Sequence, residues 1–154
     1  MRLTVYTDYA LRVLMYAAMH PERLSTISEI SAAHRISRNH LMKVVHQLGV
    51  AGYVETLRGQ GGGIRLAKKA QDIVVGDVVR CTEPDLALVT CFEDAGTCAF
   101  SPSCKLKRAV SDALQAFLAV LDGYTIADLV ENRSTLMKLL GGGAKASIRT
   151  TAEN

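Results

Sequence analysis

Three of the chain's four cysteines fall in a single window, Cys91-Phe-Glu-Asp-Ala-Gly-Thr-Cys98-Ala-Phe-Ser-Pro-Ser-Cys104. Six residues separate the first pair and five the second. Gly96, Ser101, Pro102 and Ser103 interrupt helix and strand alike, so the window reads as a loop. A loop can wrap three thiolates around one centre, which two regular elements at these spacings could not easily do. Three thiolates suit a soft metal or an iron–sulfur cluster. The closely paired cysteines of a structural zinc site are missing. Buried or redox thiols and disulfides are the alternatives, although three cysteines leave one over in any pairing. A cluster held by three cysteines needs a fourth ligand from elsewhere.

The rest of the chain has to accommodate that loop. Its 154 residues suffice for one compact domain, or a small domain with an appendage, and 49% of them are hydrophobic, enough for a core. No apolar run reaches the length of a membrane span. The segment Met1-Arg-Leu-Thr-Val-Tyr-Thr-Asp8 has no signal-peptide apolar region. These features predict a cytoplasmic protein with reduced cysteines and no membrane partner. Charge is distributed unevenly. Residues 1–70 carry ten bases against four acids, whereas residues 71–130 carry four against nine. A basic first half suggests that this part meets a polyanion.

Helical spacing of Leu11, Leu14, Met15 and Ala18 predicts a first helix, capped by Thr7 and closed near His20 by Pro21. Asp8 falls in its first turn, where an acid favours the positive helix end. Thr26 and Glu29 form a capping-box pattern opening a short second helix, about 27–33. Ser37 is placed to cap a third, about 38–48, ending at Gly49. Leu41, Val44, Val45 and Leu48 form its apolar face and leave Arg38, Asn39, His40 and Lys43 on the outer face and first turn. Two short helices joined by a tight turn, the second basic at its start, make a helix-turn-helix. Tyr53–Leu57 and Ile64–Ala67 read as strands around Arg58-Gly-Gln-Gly-Gly-Gly63, a hairpin wing. Arg58 at the tip can enter a minor groove, and the glycines, Gly59 and Gly61 among them, let backbone approach phosphate.

A short helix begins at Gly76 and leads to Cys81, which reads as a buried structural thiol. A long helix follows the cysteine loop from Lys105 to about Asp122, with Leu106, Val110, Ala113, Leu114, Phe117 and Leu121 in one stripe. Too little chain remains to cover that stripe, so packing against a second copy is expected. Thr125 opens a last helix running to about Leu140, and residues 141–154 read as a disordered polar tail. The expected architecture is mainly α with a small β-hairpin wing. Residues 1–70 form a winged helix-turn-helix domain and residues 71–140 the cysteine loop and dimerisation helix. No nucleophile-elbow or metal-His pattern suggests an enzyme.

Met1-Arg-Leu-Thr4, Thr7-Asp-Tyr-Ala-Leu-Arg12, Ile36-Ser-Arg-Asn-His-Leu-Met-Lys-Val-Val45, Arg58-Gly-Gln-Gly-Gly-Gly63 and the triple-cysteine loop together resemble the Rrf-type iron–sulfur winged-helix regulators, and within them the nitric-oxide-sensing repressors. The resemblance runs from residue 1 to about 140. It implies a homodimer on double-stranded operator DNA, a cluster held by Cys91, Cys98 and Cys104, and DNA contacts from Ser37, Arg38, Asn39, His40 and Lys43 together with the wing. It also implies that Asp8 supplies the fourth ligand to the cluster of the other subunit, and that nitric oxide is the signal. A 4Fe–4S cluster is favoured over a 2Fe–2S one. The six-residue gap between Cys91 and Cys98 departs from the family pattern, and bears on cluster type.

Overall fold

The computed structural model describes residues 2–89, 92 and 103–141. Cys91, Cys98 and the tail beyond Gly141 lie outside them. Helix α1 spans Val5–Met19. Thr4, rather than Thr7, is its N-cap, and its hydroxyl accepts the Thr7 amide at 3.2 Å. The start therefore lies earlier than the apolar spacing indicates, and Thr7 becomes a fully buried residue inside the first turn. The buried stripe of α1 is correspondingly rotated. It runs through Ala10, Val13, Leu14 and Ala17, with Tyr16 and Met19 buried beside them, while Leu11, Met15 and Ala18 are only half-buried.

Helix α2 (Ile27–His34) opens with the expected capping box, in which the Thr26 hydroxyl accepts the Glu29 amide and the Glu29 carboxylate accepts the Thr26 amide. Arg35 caps its end in the left-handed region, φ 55°, and turns the chain into α3 (Arg38–Val50). Leu41, Val44, Val45 and Leu48 are buried as expected. Ser37 holds the N-cap position without making a capping hydrogen bond. Gly49 does not end this helix. The chain leaves it at Gly52, whose φ of 74° lets the Tyr53 amide reach back to the Leu48 carbonyl at 2.9 Å. That backbone reversal is a common use of glycine after a helix.

Strands β1 (Val54–Leu57) and β2 (Gly63–Leu66) pair antiparallel, Val54 opposite Leu66 and Leu57 opposite Gly63. Ser25 and Ile64 exchange both backbone hydrogen bonds, at 2.9 and 2.8 Å, so the segment before α2 becomes a third rung beside the wing. A 3-10 turn (Ala70–Asp72) leads into α4 (Val75–Thr82). Val75, Val78, Val79 and Thr82 form the buried face of α4. Cys81 lies off that face and is exposed, which corrects its reading as a buried thiol.

Helix α5 (Lys105–Asp122) has the expected length. Only Leu114 and Leu118 are buried in it, whereas Leu106 is 67% exposed and Ala113 is exposed. The expected last helix is divided into α6 (Ile126–Leu129) and α7 (Arg133–Gly141). Thr125 and Asp128 form a capping box on α6, and the Asn132 carbonyl accepts the Thr135 and Leu136 amides where α7 begins.

One core gathers Val13 and Leu14 of α1, Ile30, Leu41, Leu48, Val54, Ile64, Val78 and Ile126. A second, smaller one joins Val79, Leu114 and Leu118, with Leu3, Leu86, Phe92 and Phe117 packed on it. The wing turn leaves no room for a side chain at Gly62. A Cβ on Gly62 would lie 2.4 Å from the Leu57 carbonyl oxygen and 2.9 Å from that of Gly59. Gly62→Ala is therefore expected to destabilise the protein by about 1–3 kcal/mol through forced backbone movement, as read by urea denaturation. A change within ~0.3 kcal/mol would show that the hairpin turn relaxes freely.

Candidate nucleic-acid interface and metal-ligand site

The apolar face of α3 is used up in the core, so its other face must meet solvent or a partner. Ser37, Arg38, Asn39, His40 and Lys43 are all exposed on it. The first turn of α3 holds no acid and receives no side-chain cap from Ser37. Its backbone amides and the adjoining Arg38 thus present positive potential, as suits a phosphate. The His40 ring leans back on α1, its centroid 6.2 Å from that of Tyr9. Met42, 49% exposed, and His46 extend the same outer face. Met42 falls outside the apolar stripe that the sequence periodicity defines, and no motif singled it out. An exposed thioether beside Arg38 and Lys43 is suited to the apolar methyl edge of thymine.

Arg58, Gly59 and Gly61 are exposed at the tip of the hairpin. Gly59 and Gly61 have φ values of 103° and 79°, so the turn itself requires these glycines. Below the tip, Arg65 is paired with Glu55 at 2.8 Å, and the Lys68 ammonium lies 5.3 Å from the centroid of the Tyr53 ring. Those two bases are engaged along the hairpin, which leaves the tip as the wing's forward surface.

Of the four expected ligands, Cys104 and Asp8 fall among the described residues, and Cys91 and Cys98 do not. Cys104 is a free thiol at the N-cap of α5 and accepts the Lys107 amide at 3.5 Å. It shares a surface depression with Lys105, Lys107 and Arg108. A helix N-terminus ringed by bases suits an anionic set of thiolate ligands. Asp8 stands in the first turn of α1, half-exposed, and pairs with Arg12 one turn on at 3.0 Å. An exposed pair of this kind holds its partners weakly, so the carboxylate can be recruited elsewhere. Both side chains fit a thiolate–carboxylate donor set. Among the described residues, no group of three or more His, Cys, Asp or Glu side chains could hold a metal ion.

The Asp8–Arg12 pair also faces the helix-turn-helix. His34, at the end of α2, is pushed below the ordinary imidazole range by burial and then by the Arg12 charge, with Asp8 acting in the opposite sense. Its ring meets Tyr16 of α1 edge-on. One residue of this region had no sequence signal. Glu83, directly after α4, accepts the Thr4 amide at 2.8 Å and the Thr4 hydroxyl at 3.1 Å, and also accepts the Thr7 hydroxyl. These partners lie more than seventy residues upstream, so no local pattern reports them.

An exposed basic helix, backed by a core and flanked by a glycine-turned hairpin, defines a winged helix-turn-helix DNA-binding protein. The chain belongs to the Rrf2 family, whose model, described as an iron-dependent transcriptional regulator, matches residues 3–132. It is 54% identical over 142 residues to the HTH-type transcriptional regulator NsrR of Bacillus subtilis (strain 168), covering 91% of this chain and 97% of that protein. The NsrR of Geobacillus kaustophilus (strain HTA426) is 53% identical over the same shares. Among solved structures, CymR, the global cysteine regulator of B. subtilis, superposes with a TM-score of 0.71 at 25% identity, covering 86% of this chain and 98% of that one. IscR of T. potens shares the fold, with a TM-score of 0.67 at 24% identity, covering 86% and 88%. The chain is thus a transcriptional regulator and not an enzyme, and no helix among the described residues is long and apolar enough to cross a membrane.

Two substitutions separate positioning from base reading. Arg58→Ala is expected to weaken operator binding and reduce the salt slope by about one unit. Arg38→Ala is expected to cost about 1–3 kcal/mol and relax preference at one base pair. Fluorescence anisotropy across salt concentrations and operator variants reads both. Uniform weakening by Arg38→Ala would reduce that residue to a phosphate contact.

Proposed function

We propose that this chain is a cytoplasmic, nitric-oxide-responsive repressor that binds a palindromic operator as a homodimer. Residues 1–70 form the DNA-reading unit, and residues 71–140 carry the ligand loop and the dimer helix. Cys91, Cys98 and Cys104 of one subunit, with Asp8 of the other, hold an iron–sulfur cluster. The observation that carries the reading is the exposed Asp8 on α1, the helix whose buried face supports α3 from behind, in a chain about half identical to the NsrR regulators. The exposed apolar residues of α5, Leu106 and Val120 foremost, suit a second copy.

When bound, the cluster would supply iron able to react with nitric oxide. The chain's own part is mechanical. With Asp8 engaged by the partner's site, the first turn of each α1 is fixed relative to the other subunit. Each α1 packs on α3 and on the wing strand β2, so the two reading heads keep the spacing of the half-sites. Once Asp8 is released, its nearest charge is Arg12, which it pairs with in the geometry described above. The reading heads then lose their common reference, and operator affinity falls.

A second reading is favoured by the family model's description as an iron-dependent regulator. On it the same scaffold reports iron or cluster status. Comparing operator release by nitric oxide with release by iron chelation separates the two. Anaerobic absorption and Mössbauer spectra of the purified protein, before and after nitric oxide, test for the cluster itself.

The four cysteines are expected to divide three to one. Cys91→Ser, Cys98→Ser and Cys104→Ser each abolish bound iron and sulfide, whereas Cys81→Ser retains both. Asp8→Ala leaves a folded dimer with an altered spectrum and an altered nitric oxide response. A Cys81→Ser protein without cluster, or an Asp8→Ala spectrum identical to the parent's, would overturn the corresponding assignment.

A further inference from the structure

We infer that Glu83 is a positioning residue that ties the root of each subunit's cysteine loop to the Asp8-bearing turn of the same subunit, and so couples the two cluster sites of the dimer. The cross-subunit part rests on the proposed function.

Glu83 is the C-cap of α4 and stands eight residues before Cys91. Its carboxylate gathers three donors from the start of α1: the Thr4 amide, the Thr4 hydroxyl and the Thr7 hydroxyl. The Thr7 hydroxyl lies 2.9 Å from that of Thr82, which donates to the Val78 carbonyl at 2.8 Å. Thr7 is fully buried and Thr82 nearly so, and such shielded, charge-assisted bonds are stronger than surface ones. Asp8 is the next residue, and its amide bonds the Thr4 carbonyl at 3.2 Å. Ordinary helix capping needs only the Thr4 hydroxyl on the Thr7 amide, which is present besides. The carboxylate therefore adds a fixed distance between the loop root and the turn that presents Asp8.

An apolar link runs in parallel. Leu3, two residues before α1, packs in the small core with Leu86 and Phe92, against Val79, Leu114 and Phe117. Phe92 is the neighbour of Cys91. The start of α1 is thus joined twice to the chain that leads towards the cysteines, by hydrogen bonds to Glu83 and by a core shared with Leu86 and Phe92.

The consequence follows from which site each part serves. A subunit's cysteine loop belongs to its own cluster, while its Asp8 serves the partner's. A displacement of the chain at Glu83 when one site loses its ligand ties is passed to Thr4 and Thr7, and so displaces Asp8 at the other site. Loss of one cluster then makes loss of the second easier, and dimers with a single cluster are scarce.

The experiment has two arms, using the full chain as a dimer. In the first, hydrogen–deuterium exchange is followed in cluster-free protein. Glu83→Ala is expected to raise exchange over residues 5–9 by about tenfold or more while leaving α3 unchanged. Thr7→Val, which removes one donor only, raises it less. In the second, holo dimers are stripped progressively with an iron chelator and counted by native mass spectrometry. The parent protein is expected to show fewer one-cluster dimers than a binomial distribution, and Glu83→Gln, which keeps an acceptor but not the charge, moves towards the binomial. Unchanged exchange in Glu83→Ala overturns the clamp. A binomial parent, or equal scarcity in parent and Glu83→Gln, overturns the coupling. The Asp8→Ala spectrum reports separately on the ligand assignment. Were that assignment to fail, the exchange arm would still decide whether Glu83 holds the turn.

Discussion

Everything else in this structure leans on the burial of α1. Ala10, Val13 and Leu14 are sealed completely, and the helix packs on α2, α3, α4, α6 and the wing strand β2. Small residues at positions 10 and 17 let neighbouring backbones come close, and each fully buried valine or leucine contributes about 1.5–3 kcal/mol. A helix surrounded in this way cannot shift without moving what it touches, because packed interiors transmit displacement rather than absorb it. This helix, packed on five other elements, nevertheless presents a half-exposed Asp8 at its start. That combination makes it a suitable carrier of a signal from a ligand to the DNA-reading surface.

The second half of the chain is built more sparingly. Its small core depends on Val79, Leu114 and Leu118, and it borrows Leu3 from the opposite end of the chain. Arg80 forks onto Asp122 with two bonds of 2.7 Å, fixing α4 across the end of α5. Gly76 lies so close beneath this fork that a Cβ there would strike the Asp122 carboxylate. The fork and the glycine together set how α5 leaves the body of the protein, while Leu106 and Val120 on α5 remain uncovered within the single chain.

Sequence alone made the helix-turn-helix and hairpin legible because their determinants are local. Thr26 and Glu29 are three residues apart, Leu41 to Leu48 repeat at helical spacing, and the four glycines of the wing fall within five residues, 59–63. Helix ends were less legible. Thr4, not Thr7, caps α1 by accepting the Thr7 amide on its hydroxyl, a pairing that apolar spacing does not register, and Gly49 lies within α3 because the reversal belongs to Gly52. Cys81 was misread as buried, since a lone cysteine carries no sign of which face of a short helix it occupies. Of the proposed ligand set, the three-cysteine spacing was plain in the sequence, whereas the role proposed for Asp8 depended on family resemblance. Glu83 left no trace, because its role consists of contacts with residues nearly eighty positions away.

The attachment of the wing has a consequence for how such a regulator changes its target. Ser25 and Ile64 join the hairpin to the body through main-chain atoms, and the Ala67 amide closes the hairpin's own base on the Tyr53 carbonyl. Hydrogen bonds of this kind are indifferent to side-chain identity, so the aim of the hairpin is inherited from the backbone. Side chains at the solvent-facing crest, such as Leu57, Arg58 and Gln60, can be exchanged without re-aiming it. Single substitutions there can change the chemistry the crest presents while its mounting stays as it is, whereas Gly59 and Gly61, held at φ 103° and 79°, are barred from drifting.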